Sequence, residues 1–253
     1  MDLLKYKCII FDLDGTIYFG ASLADKANDV IKKSRNIAEN VFFITNNSAK
    51  TRAEIWEKLA SMGIVVKQEE IITSGFAIAK YLSENNFQKV YCLGTASLKK
   101  EIASFNIDIS CQSPQAIVVG YNKDFKLCNL EELLKLNIEA SCKLIVANKE
   151  RCYPSDKGYI LPGAGPIVSA VENVLDKKTD LIIGKPNALM LETMLSGLNI
   201  APDEVCVIGD SYESDIKMAQ NYGADSFLIT NQEYTSCKTI DKLSDLLKIF
   251  NER

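Results

Sequence analysis

Histidine is absent from all 253 residues. Its absence rules out a Ser-His or Cys-His nucleophile pair, histidine-ligated zinc and histidine proton shuttles. Acid–base chemistry near neutral pH then falls to carboxylates, lysine, cysteine or tyrosine. No apolar run approaches the ~20 residues that span a bilayer. The apolar stretch behind the lysines of MDLLKYKCIIF is shorter than the ~7–15 residues of a signal-peptide h-region. A basic field is missing too: 29 Lys and Arg against 33 Asp and Glu leave a net charge of −4. Neither nucleic acid nor an anionic membrane surface is therefore an expected partner. The eight cysteines contain no CxxC pair, and several lie inside apolar stretches such as KCIIF and EVCVIGD, so buried reduced thiols are expected. These absences predict a cytoplasmic protein. PGAGPI (162–167) has GxG without the third glycine of a dinucleotide site, and Lys185 in IGKP lacks the Ser or Thr and upstream glycine of a Walker loop.

What is present is strand then helix, repeated. Lys7–Leu13, VFFIT (41–45), LIIG (181–184), VCVIGD (205–210) and SFLIT (226–230) read as buried strands with helical stretches between them. The first helix is predicted over Leu23–Ala38. A second starts at Thr51, where Thr51 and Glu54 form a capping box, and the last starts near Thr239. Strands this uniformly apolar are covered on both faces, which predicts a Rossmann-like, doubly wound parallel α/β sheet. Between about 80 and 165 a second alternation appears: VYCLG (90–94), AIVVG (116–120) and KLIVA (143–147), with helices over Ala96–Phe105 and Leu130–Ile138. We read residues 1–79 and 166–253 as the core and 80–165 as an inserted α/β cap domain able to close over it. One continuous large sheet is the alternative.

In such folds ligands bind at the carboxyl ends of strands, and polar residues gather there: Asp12 and Asp14, then Thr45-Asn46-Asn47, then Asp210. In FDLDGT, Asp12 and Asp14 lie two apart in an extended run, so both carboxylates face one side before the turn at Gly15. A capped strand end would explain an isolated Asp-Gly, and helix capping would explain Asp210 and Asp215. Neither explains the ordered set.

That ordered set resembles the haloacid dehalogenase (HAD) superfamily. FDLDGTIY matches its first motif, ITNN (44–47) the second, Lys185 in IGKPN the third and GDSYESD (209–215) the fourth. The nitrophenylphosphatase-like, NagD-type branch is more similar still, on TNN, GKP and the Pro154, Gly158, Pro162, Gly163, Gly165 stretch. The resemblance implies a phosphomonoesterase acting on a small phosphorylated metabolite, with Asp12 as nucleophile and Asp14 as general acid–base. It implies Mg2+ on Asp12, the Asp14 carbonyl and Asp210, with Asp215 behind them holding Lys185 or a water. It implies phosphate contacts from Thr45, the Asn46 N–H and Lys185, and a homodimer through the cap. A phosphotransferase or mutase of the same fold, or a non-catalytic phosphometabolite-binding protein, are the other readings. The chain departs from the branch at Ala147-Asn148-Lys149-Glu150-Arg151 and at Ser211-Tyr212, where a leaving group would be read. Asn148, Lys149, Arg151, Tyr153 and Lys157 are the candidate cap contacts.

Overall fold

A computed structural model of the chain describes residues 5–136, 138–139, 141–154, 159–232 and 234–250. By internal packing the chain divides into two compact units, one of Met1–Thr45, Trp56–Ile72 and Lys185–Arg253, the other of Asn46–Ile55 and Thr73–Gly184. The strands in chain order are β1 (Cys8–Asp12), β2 (Tyr18–Phe19), β3 (Ser22–Leu23), β4 (Asn40–Thr45), β5 (Ile71–Thr73), β6 (Lys89–Leu93), β7 (Asp108–Ile109), β8 (Ala116–Val119), β9 (Lys143–Val146), β10 (Cys152–Pro154), β11 (Ile160–Pro162), β12 (Leu181–Ile182), β13 (Val205–Gly209), β14 (Asp225–Ile229) and β15 (Lys238–Ile240).

A six-stranded sheet of order β15-β14-β13-β1-β4-β5 forms the centre of the first unit. β1 runs parallel to β4 and β13 on its two sides, with Phe11 opposite Phe43 and Ile208. All five β1 residues are buried, and the Phe11 and Phe43 rings stack at 6.0 Å. A strand with apolar groups on both faces needs cover on both. The helix Ala27–Ile37 supplies part of it by burying Ala27, Val30 and Ile31. From β1 the chain steps to β4 and β5 on one side, and later to β13, β14 and β15 on the other. The carboxyl end of β1 is therefore the topological switch point, where the connections part and leave a crevice.

The second unit holds its own parallel sheet of order β12-β9-β8-β6-β7. Its core joins Ile117, Val119, Leu144 and Val146 to Leu133 and to Ile167, Val168 and Val171 of the helix Gly165–Val174. Two separate sheets replace the alternative of one large one. The second unit is wider than the 80–165 read from the sequence, because the helix Gly165–Val174 packs on its sheet and LIIG does not join the core. Leu181 and Ile182 pair with Ile145 and Val146 instead.

Other boundaries also move. Thr239 does not start a helix: β15 pairs in parallel with β14, Thr239 opposite Leu228, and helical turns begin at Leu243. Leu23 pairs with Tyr18 across a short hairpin, so the first helix starts at Ala27. The helix expected at Leu130–Ile138 runs Leu127–Lys135. The capping box stands as expected, the Thr51 N–H donating to Glu54 (2.7 Å) and the Glu54 N–H to the Thr51 hydroxyl (3.2 Å). All eight thiols are free. Among the described residues no helix is long and apolar enough to cross a membrane.

Candidate active site

β1 ends on Asp12, and the backbone then folds back on itself. The N–H groups of Thr16, Ile17 and Tyr18 converge on the Leu13 carbonyl at 3.3, 3.0 and 3.1 Å. This wrap is possible because Gly15 takes φ +98, a left-handed conformation that side chains strain to adopt. A Cβ on Gly15 would lie 2.4 Å from Asp210 Oδ2, so the same glycine lets the carboxylate at the end of β13 approach β1. Thr16 then donates to Asp210 Oδ1 (3.3 Å). Thr45, at the end of β4, donates to Asp14 Oδ2 (3.2 Å), and Asp14 itself is exposed. Three neighbouring strand ends thus present their polar residues together.

Lys185 sits behind this rim. Its Nζ lies 2.5 Å from Asp12 Oδ1 and 2.6 Å from Asp215 Oδ1, all three side chains being at most 5% exposed. Asp215 is fixed from its other oxygen by the Ser211 N–H (3.1 Å). A Cβ on Gly209 would fall 2.3 Å from Asp215 Oδ2, so a side chain there would displace the carboxylate. One carboxylate oxygen of Asp12 is engaged, while Oδ2 is buried without a hydrogen-bond partner.

Burial and charge together explain the titration of the group. Three carboxylates within 4.8 Å of one another, Asp12, Asp210 and Asp215, surround one ammonium, leaving two uncompensated negative charges. Burial raises Asp12 well above the usual carboxylate range; Lys185 opposes this, and the charges of Asp215 and Asp210 add to it. Burial alone would lower Lys185, but Asp12 and Asp215 outweigh it and hold the ammonium above its ordinary 10.5. Asp210 opens to solvent on one side. Desolvation on the other, and then the charge of Asp215, raise it to about 6. Two excess charges, hard oxygen donors and an orphaned buried carboxylate oxygen fit a divalent cation.

Of the residues singled out from the sequence, Asp12, Asp14, Thr45, Lys185, Asp210 and Asp215 lie in the first unit, linked by the contacts above. Asn46 belongs to the second unit. Its amide donates to Glu150 (2.7 Å), and its carbonyl accepts from Ser74 and Asn148, both at 2.9 Å. Asn148 is buried in that contact. Lys149 pairs with Glu172 at 2.7 Å. Arg151 is exposed. Tyr153 meets Tyr121 edge-on, ring centroids 5.8 Å apart, with hydroxyls at 3.1 Å. Lys157 lies outside the described residues. The sequence reading missed the roles of Thr16, Gly209 and the Ser211 N–H. Their signal was proximity alone: Gly209 and Ser211 flank Asp210, and Thr16 lies two residues past Asp14.

A model of the haloacid dehalogenase-like hydrolases matches residues 9–108, and a HAD-hydrolase-like model matches residues 182–245. The sugar-phosphatase AraL of Bacillus subtilis is 29% identical, over 96% of this chain and 93% of its own. An acid sugar phosphatase of Staphylococcus aureus is 32% identical, over 88% and 85%. The crystal structure of a 4-nitrophenylphosphatase from Thermotoga maritima superposes with a TM-score of 0.87 at 27% identity, covering 97% of this chain and 98% of that one.

Proposed function

The chain belongs to the haloacid dehalogenase-like hydrolases, and from that premise we propose that it is a Mg2+-dependent phosphomonoesterase acting on small phosphorylated metabolites. One observation carries the mechanism: a buried Asp12 held through one oxygen by Lys185, with its other oxygen unpartnered. Asp12 attacks phosphorus and forms an O–P bond as the ester O–P bond breaks, which splits one difficult displacement into two easier ones. Asp14, exposed and oriented by the Thr45 hydroxyl, gives its proton to the departing alkoxide. It then takes a proton from the water that cleaves the aspartyl-phosphate, so inorganic phosphate leaves and both acids return to their starting states. Lys185 holds charge against the transferring group, and Thr45, with the peptide N–H joining it to Asn46, donates to phosphate oxygens.

Mg2+ on Asp12, the Asp14 carbonyl and Asp210 would supply the positive charge that lets two carboxylates face a phosphate dianion. Asp215 holds Lys185 in this reading. The acid–base Asp14 separates phosphoryl transfer from halide release, which needs no proton. Eight unpaired thiols support a reducing, cytoplasmic setting. The test is turnover of p-nitrophenyl phosphate with Mg2+ by wild-type protein and by Asp12→Asn. Turnover by the wild type and none by the variant is expected; unchanged turnover by the variant overturns the mechanism.

A further inference from the structure

Beside the carboxylate cluster stands an aromatic pair that the mechanism leaves unused. Tyr212 is the second residue after Asp210. The Tyr212 and Tyr234 rings stack with centroids 4.9 Å apart and planes within 21°. Tyr234 follows β14, the parallel neighbour of β13. Both residues therefore emerge at the carboxyl edge of the six-stranded sheet, on the β14 side of Asp210. The pair is held from several directions. The Tyr212 and Ser236 hydroxyls share a hydrogen bond of 2.8 Å, and Gln220 donates to the Ser236 carbonyl (3.2 Å). The Tyr212 backbone is set by the preceding Ser211, whose carbonyl accepts from the Asp215 N–H at 2.8 Å and whose N–H donates to the Asp215 carboxylate. The turn over Tyr212–Ile216 is π-helical, a form frequent at functional sites. Both residues are half-buried.

We propose that Tyr212, backed by Tyr234, is a specificity-determining residue whose ring stacks on planar aromatic or heteroaromatic leaving groups of phosphomonoesters. The proposal rests on the phosphatase reading above. A tyrosine restrained before the substrate arrives gives up little conformational freedom on contact. Its π-face rewards a flat ring through area and quadrupole and offers nothing comparable to an acyclic group such as glycolate. The phosphoryl group itself is held elsewhere, by Thr45 and Lys185. Stacking made equally in the ground and transition states appears in KM, with kcat unchanged.

The experiment compares kcat/KM for p-nitrophenyl phosphate and for phosphoglycolate, with Mg2+, in wild type, Tyr212→Phe, Tyr212→Leu and Tyr212→Ala. The Leu variant keeps apolar bulk and lacks the π-face, which guards against a folding defect in Ala. The aromatic-to-acyclic ratio is expected to fall about tenfold in Leu and Ala, through KM, a loss typical of one stacked ring. In Phe it stays within about twofold, since stacking remains. Inhibition by inorganic phosphate is expected to be unchanged. An unaltered ratio in Leu and Ala, equal losses on both esters, or weakened phosphate inhibition would each overturn the proposal. A wild-type chain inert on both esters would instead overturn the phosphatase reading, and this proposal with it.

Discussion

At Asp12 the two carboxylate oxygens have different surroundings: Oδ1 is bound by Lys185, and Oδ2 is buried without a partner. The residue types of this site were legible in the order of the chain, because two acids at the end of an apolar strand have no structural use that a neutral cap would not serve better. Pairings were less legible. The family resemblance offered Asp215 as a holder of Lys185 or of a water; nothing in IGKP says that Lys185 would lie between Asp12 and Asp215, residues 173 and 30 positions away. The arrangement carries a prediction. Lys185→Met leaves two buried carboxylates facing each other uncompensated, and loss of a buried partner costs about 3–5 kcal/mol. Urea denaturation at pH 7 in EDTA should show that loss, and phosphatase activity, assayed separately with Mg2+, should be abolished. A variant as stable as wild type would mean that Lys185 does not neutralise Asp12 and Asp215.

Among elements, the strands were legible from apolar runs, since a strand buried on both faces has little choice of composition. Their sheet membership was not. LIIG and VCVIG look alike, yet Leu181 pairs with Ile145 while Val205 pairs with Cys8. Partner choice depends on what packs beside the strand. Here the helix Gly165–Val174 carries Glu172, whose Oε1 accepts from Lys149 Nζ and from the Thr179 N–H and hydroxyl, each at 2.7 Å. That one carboxylate ties the helix to the segment leading into β12. Its hydrogen bond to Lys149, then those from Thr179, lower the Glu172 carboxyl from its ordinary 4.5 to about 2. A lowered folded-state value contributes stability that is present above the unfolded value and is lost as pH falls through the folded one. Glu172→Gln should therefore destabilise by about 1 kcal/mol at pH 7. Its deficit against wild type should shrink between pH 4.5 and about 2, followed by chemical denaturation. A deficit independent of pH would show that packing, and not the charge, matters there.

For the whole molecule, a second strand–helix alternation, which folds as a sheet of its own, was readable as a break in spacing. Its limits were not, because the helix Gly165–Val174 and β12 look like core elements until their packing is known. The charge balance of the carboxylate cluster also belongs to this scale, since strands and turns far apart in the chain supply it. Mg2+ that binds the folded chain alone raises its stability by about 2.7 kcal/mol at a hundredfold excess over Kd. Thermal melts at pH 7.5 should rise by several degrees on adding Mg2+, and the rise should vanish in Asp210→Asn. Because the cation-free Asp210 titrates near 6, protons compete below that pH and the Mg2+-dependent rise should shrink. An equal rise in Asp210→Asn would place the cation elsewhere. Local chemistry along the chain settled the alternation of strands and helices, the identity of the acids, and the exclusion of histidine chemistry, because these depend on composition and spacing. Folding alone settled which strands share a sheet, that Lys185 bridges two buried acids, that Gly15 and Gly209 make room for carboxylates, and that Tyr212 lies against Tyr234. Those outcomes depend on distances between residues that the chain order leaves far apart.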